Sequence, residues 1–301
     1  MKAKKESMPN IKSINRLTLK ERLKQYKRSP FSAVLLVLTL LAAAVTVFVL
    51  LFIIAYILIR GIPYLKLDMF TTLEFNTENL SMLPAIINTV TMTLLSLLVA
   101  LPIGVFSAVY LVEYAKRGSK LTSVIRITTE TLSGIPSIVY GLFGYLLFVI
   151  ALHWGYSLIA GVLTLAIMIL PTIMRTTEEA LKSVPDSFRE GSFGLGAGRL
   201  RTVTKIVLPS AMPGILAGVI LAIGRIVGET AALIYTSGTV AQVPDGLFGS
   251  GRTLAVHMYA LMSEGLYMDA ANATGVIILI VVVGINALSS FIAKKFTKGK
   301  G

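Results

Sequence analysis

The run Pro185-Asp186-Ser187-Phe188-Arg189-Glu190-Gly191-Ser192-Phe193-Gly194-Leu195-Gly196-Ala197-Gly198-Arg199-Leu200-Arg201-Thr202-Val203-Thr204-Lys205-Ile206-Val207-Leu208-Pro209 lies between two long apolar stretches. Pro185 suits the first turn of a helix, where no N–H is needed, and Asp186 and Glu190 oppose the positive end of its dipole. Gly191, Gly194, Gly196 and Gly198 then break the segment. A second, basic helix follows, and Pro209 is expected to stop it. Helix, hinge and helix between two apolar stretches predict a docking knuckle at a membrane face. The plain alternative is an ordinary polar hairpin.

Both neighbours of this run are long enough to cross a bilayer. Apolar stretches that reach the roughly 20 residues needed occur at 31–59, 84–112, 123–151, 156–174, 212–235 and 271–293. Only 14% of the 301 residues are charged and the mean hydropathy is +0.79, against about 25% charged in a soluble domain. The sequence therefore predicts an all-α integral membrane protein with six transmembrane helices. The first stretch is too long for a signal-peptide core and no small-residue cleavage pattern precedes it, so no processing is expected. Of 28 Lys and Arg residues, 24 fall in 1–30, 113–126, 175–205 and 294–301, which are alternate loops and both termini. The positive-inside rule then places both termini in the cytoplasm. Residues 16–28 have the composition of a helix lying on the anionic inner leaflet. The outer loop 236–270 has room for a short helix near 253–262.

This gives a basic amino-terminal segment 1–30, a first helix and outer loop 31–83, a core 84–293 with the knuckle at 179–211, and a basic tail 294–301. The net charge of +13 is accounted for by the inner loops, so nucleic acid is not an expected partner; membrane lipids are. Absence of cysteine removes thiol chemistry and cysteine metal sites, and His153 and His257 alone offer neither a metal site nor a catalytic base. No span pairs acids with a histidine or an activated serine, so no enzyme is expected. No Gly-x-x-x-x-Gly-Lys-Ser/Thr loop is present, so ATP would have to be bound by another chain.

The knuckle resembles the cytoplasmic loop of permeases from ATP-binding-cassette importers, which reads Glu-Ala-Ala, three residues, Gly, nine residues, Ile, one residue, Leu-Pro. Glu190, Gly196, Ile206, Leu208 and Pro209 match its spacing, and Gly191 and Ser192 replace the alanines. Other stretches narrow the resemblance to the phosphate-importer permease of the PstA type: Leu101-Pro102-Ile103-Gly104, Gly134-Ile135-Pro136-Ser137, Arg175-Thr176-Thr177-Glu178-Glu179, Gly224-Arg225-Ile226-Val227-Gly228-Glu229-Thr230, His257-Met258-Tyr259 and Asn286. The resemblance implies a type I importer (MetI-like) permease fold in a bacterial or archaeal inner membrane. It also implies a second permease of the PstC type, two ATPase copies of the PstB type and an external phosphate-binding protein of the PstS type. Arg189, Glu190 and Gly196 would belong to the loop that couples ATPase closure to the helices.

Within the fifth stretch, Arg225 and Glu229 are ionisable residues where ions are costly. Their i, i+4 spacing places both on one helix face. Either they form a mutual ion pair, or Arg225 presents its donors to an anion. In the second case Glu229 would accept a hydrogen bond from the proton that phosphate, unlike sulfate, retains near neutral pH. Arg126 and Glu130 repeat the spacing and are expected to pair, Pro136 and Pro171 to kink their helices. Arg175 either anchors the fourth span or lies at an anion exit. Gly214/Gly218 and Gly224/Gly228 are small-residue pairs suited to close helix packing, within the chain or against a second permease. Other oxyanions (molybdate, sulfate, phosphonate) and a passive anion channel are the alternatives.

Overall fold

The computed structural model describes residues 30–73, 75, 80–116, 118–265 and 267–298. The reading of 16–28 as a surface helix falls outside them, as does the end of the basic tail. The chain divides into two compact units, Met1–Tyr56 and Ile57–Gly301. Of the first, the described part belongs to helix α1, Pro30–Gly61, whose last turn enters the second unit. Leucine, valine and phenylalanine point outward on every side of α1, and Phe48 stacks on Phe52 at 6.3 Å. A helix apolar all round requires a hydrocarbon environment.

The second unit continues with α2, Leu83–Val109, drawn out by a π-helical turn at Tyr110–Tyr114. Next come α3, Lys120–Ser133, and α4, Ser137–Gly144, which ends in a π-helical turn at Tyr145–Ala151. The long helix α5 spans Leu158–Lys182, and α6 spans Asp186–Gly194. Helix α7, Arg199–Thr202, passes through a π-helical turn at Val203–Val207 into α8, Leu208–Val227. Helices α9, Ala231–Thr236, α10, Leu254–Glu264, and α11, Met268–Lys298, complete it.

α5 forms the centre because it is apolar on most sides. Val162, Leu165, Met168, Ile169 and Ile173 are buried with Met92 and Ala100 of α2 and Ala222 and Ile226 of α8. Gly214 and Gly218 let α8 approach α5 closely: a Cβ at Gly218 would collide with Thr176, and one at Gly214 with Ala180. Near the knuckle, Ala108, Leu181, Val184, Val207, Ala211 and Ile215 form a second core. Leu94, Leu98, Phe106, Leu146, Ile280 and Val283 remain exposed on the helices, as lipid contact requires.

Three expectations change. The third stretch is not one straight span: α3 and the α4 segment meet at 104°. Pro136 cannot donate a backbone bond and drives Ile135 away from helical conformation, and the Tyr140 hydroxyl donates to the Leu132 carbonyl at 2.8 Å, satisfying a carbonyl freed at the end of α3. Among the described residues five helices are long and apolar enough to cross a membrane, six if the bent pair counts as one. Secondly, the fifth span ends at Val227 rather than at 235, with Gly228 after its last turn. Thirdly, Pro209 does not stop the helix before it. The π-helical turn at Val203–Val207 precedes the proline, which sits in the first turn of α8, where its missing N–H is tolerated. Pro171 lies inside an uninterrupted α5. The short outer helix is present as α10.

Candidate functional site

Ending α8 at Val227 separates Arg225 from Glu229. Glu229 is buried, and its Oε1 accepts a hydrogen bond from the Ala232 N–H at 3.0 Å. It thus satisfies an orphan donor in the first turn of α9. No ion pair joins it to Arg225 among the described residues. Because the helix does not continue, the i, i+4 geometry that would have paired them does not exist. Glu229 is not among the residues that line the groove beside Arg225.

That groove has a volume of about 740 Å³ and is lined by Thr172 of α5, Leu221, Gly224 and Arg225 of α8, and Asn286 and Ser290 of α11, with Ala217 and Ile220 beneath. Thr172 lies about 21 Å along α5 from its first residue at roughly 1.5 Å per residue. Arg225 is half-buried. Unlike Gly214 and Gly218, Gly224 faces open space.

The knuckle is built around Arg189, which faces inward. Its Nη2 and Nε donate to Glu113 Oε1 at 2.7 and 3.1 Å, and Nη1 to Asp186 Oδ1 at 3.1 Å. Nη2 and Nη1 also donate to the carbonyls of Leu181, in the last turn of α5, and of Val184, just past it, at 2.9 and 2.7 Å. One guanidinium therefore holds α6 to the ends of α2 and α5. Only 14% of the Arg189 side chain and 9% of that of Glu113 are exposed. α6 ends in a Schellman motif, with Gly196 N–H donating to Phe193 O and Ala197 N–H to Ser192 O. Gly196 takes the left-handed φ of +81° this requires. The Ser192 and Thr202 hydroxyls, 2.8 Å apart and buried, pin α6 to α7. Ile206, Leu208 and Pro209 are partly buried, and Leu208 packs on the inner core. Glu190 is exposed with Phe188, Phe193, Leu195 and Leu200. These apolar side chains sit on the tip, the arrangement of a docking surface.

Arg175 is exposed and pairs with Glu179 at 3.2 Å. It lines a cavity of about 210 Å³ with Arg126, Glu130, Glu178 and Lys182. Arg126 pairs with Glu178 at 2.8 Å, not with the expected Glu130, because α3 packs on α5 here and presents a nearer carboxylate. The sequence reading missed Glu113, which lies 76 positions from Arg189. It also missed the lid formed by the loop between α9 and α10, where the backbone N–H groups of Leu158 and Ile159, without intrahelical partners at the start of α5, donate to the carbonyls of Gly249 and Leu247 at 2.9 Å. Asn88 donates from α2 to the carbonyls of Gln242 and Arg252 at 2.8 and 3.1 Å. Arg252 Nε donates to His257 Nδ1 at 3.0 Å and stacks over Phe75. The signal for this lid was weak: Gly and Pro between two spans, with one Arg.

The described residues form a bundle of long apolar helices with a knuckle held by Arg189 and a groove bordered by Arg225, which has no carboxylate partner among them. A family model described as the binding-protein-dependent transport system inner membrane component matches residues 100–300, and the chain belongs to that family. It is 35% identical over 278 residues to the probable ABC transporter permease protein YqgI of Bacillus subtilis (strain 168), covering 85% of this chain and 94% of that one. It is 38% identical over 234 residues to the phosphate transport system permease protein PstA of Yersinia pestis, covering 76% and 79%. The fold matches a chain of the bacterial alginate ABC transporter solved with an alginate pentasaccharide-bound periplasmic protein, with TM-score 0.66 at 19% identity over 91% of this chain and 98% of that one. The protein is a multi-pass inner-membrane permease of an ABC transporter.

Proposed function

We propose that this chain is the PstA-type permease subunit of an ATP-driven phosphate importer. Arg225 carries the reading: it is a guanidinium in the last turn of a membrane-length helix, without a carboxylate partner among the described residues, on the wall of a groove. A fixed cation there lowers the barrier to an anion and offers planar donors to phosphate oxygens. Both termini lie in the cytoplasm. A PstC-type permease supplies the other half of the path, and a PstS-type binding protein delivers phosphate from outside. Two PstB-type ATPases bind ATP and dock on the exposed tip of α6. Their closure moves α6, and Arg189 passes that motion to α2 and α5, switching the groove between outward and inward access. Arg175, at the inner end of α5, stands where phosphate leaves.

The test is ATP-driven uptake of labelled phosphate into vesicles carrying the assembled importer, with unlabelled sulfate, molybdate and phosphonate as competitors. Phosphate uptake that excess sulfate and molybdate leave intact is the expected result. Displacement by either would reassign the substrate, and uptake without ATP would make the complex a channel.

A further inference from the structure

We propose that Asn286 and Ser290 of α11, with Thr172 of α5, are the neutral hydrogen-bonding wall of the anion path, receiving phosphate oxygens opposite Arg225. The inference rests on the proposed role of Arg225 and extends it to a second and third helix.

Asn286 interrupts the apolar run Val276-Ile277-Ile278-Leu279-Ile280-Val281-Val282-Val283-Gly284-Ile285 and Ala287. Its side chain is exposed and forms no hydrogen bond among the described residues. A primary amide facing hydrocarbon would leave two donors and an acceptor unsatisfied, which bilayer interiors penalise heavily. The amide therefore meets water, a ligand or another chain. Ser290, one helical turn on, is also exposed and borders the same groove. Thr172 reaches it from α5, so three separate helices bring polar groups to one cavity.

The chemistry of the lining selects the ligand class. Among the described residues Arg225 is the one charged group bordering the groove, and no carboxylate does. An anion is therefore attracted without being repelled. A wall of further cations would hold phosphate too firmly to release it. Amide and hydroxyl donors instead replace part of its hydration while leaving escape cheap, as conduction through any pore requires. Ser290 lies one turn nearer the lysine-rich end of α11, so successive donors follow one face of that helix toward that end.

The chain has no cysteine, which permits single Asn286→Cys, Ser290→Cys, Leu221→Cys and Leu98→Cys variants in the assembled importer. Leu221 borders the groove, while Leu98 is exposed on α2 away from it. Each is treated in vesicles with a membrane-impermeant cationic thiol reagent, with and without inorganic phosphate. The inference predicts that positions 286 and 290 react, that Leu98→Cys does not, and that phosphate slows the first two. Asn286→Leu should also raise the phosphate concentration for half-maximal uptake by about tenfold, as loss of a hydrogen bond to a charged ligand does, while Asn286→Gln stays near wild type. If Leu221→Cys is protected by phosphate but 286 and 290 are inert, Asn286 packs against another chain and the inference falls while the role of Arg225 stands. If phosphate protects none of them, the groove is not the path and both fall.

Discussion

Arg225 and Glu229 are four positions apart and stand on either side of a helix end. Arg225 is in the last turn of α8 and Glu229 caps the first turn of α9. Substituting Glu229→Gln keeps an oxygen that accepts from Ala232 N–H, so the cap survives while the charge is lost. Phosphate-to-sulfate selectivity should then be unchanged; a shift in that ratio, measured by uptake with both labelled anions, would return Glu229 to the path. Arg225 was legible as an intramembrane ion. Its separation from Glu229 was not, because only Gly228 marks the break and a glycine within an apolar stretch is equally compatible with a continuous helix.

At the scale of elements, the Arg189 latch joins α6 to α2 and α5. In Glu113→Ala, Arg189 keeps its bonds to Leu181 and Val184 but loses its tie to α2. Removing one partner of a largely buried pair costs about 3 kcal/mol, and the lost tie should appear as uncoupling: ATP hydrolysis by the complex persists while phosphate uptake falls. Simultaneous ATPase and uptake assays decide it, and equal losses of both would mean that Glu113 serves only stability. The two helices of the knuckle and the Gly196 hinge were readable from proline, acid and glycine positions, which are local signals. The latch was not, since Glu113 and Arg189 meet only when α2 and α5 pack. Pro209 misled for a related reason: a π-helical turn carries the chain from α7 into α8, and no residue type announces such a turn.

For the whole molecule, hydropathy was enough to place most of the helices, because lipid leaves the backbone few alternatives. The right angle between α3 and α4 escaped that reasoning, since a hydropathy window averages across Pro136. The lid between α9 and α10 has its own pH dependence. Burial, then the charge of Arg252, pushes the His257 imidazole down to about 3. In the unfolded chain a histidine titrates near 6.5. Between these values the unfolded state holds a proton that the folded state does not, so stability is full above about pH 6.5 and falls as pH drops toward 3, by at most about 1.4 kcal/mol per unit. Thermal unfolding of the assembled complex should shift to lower temperature between pH 7 and 4.5, and less steeply for His257→Gln. Equal slopes for the two proteins would remove His257 as the cause.

Transport through the groove at Arg225 is tested most directly by ATP-driven uptake of labelled phosphate in vesicles carrying the whole importer, comparing wild type with Arg225→Ala. Loss of uptake, with the complex still assembled and still hydrolysing ATP, is the predicted result. Wild-type uptake by Arg225→Ala would contradict it and leave Arg225 a structural ion.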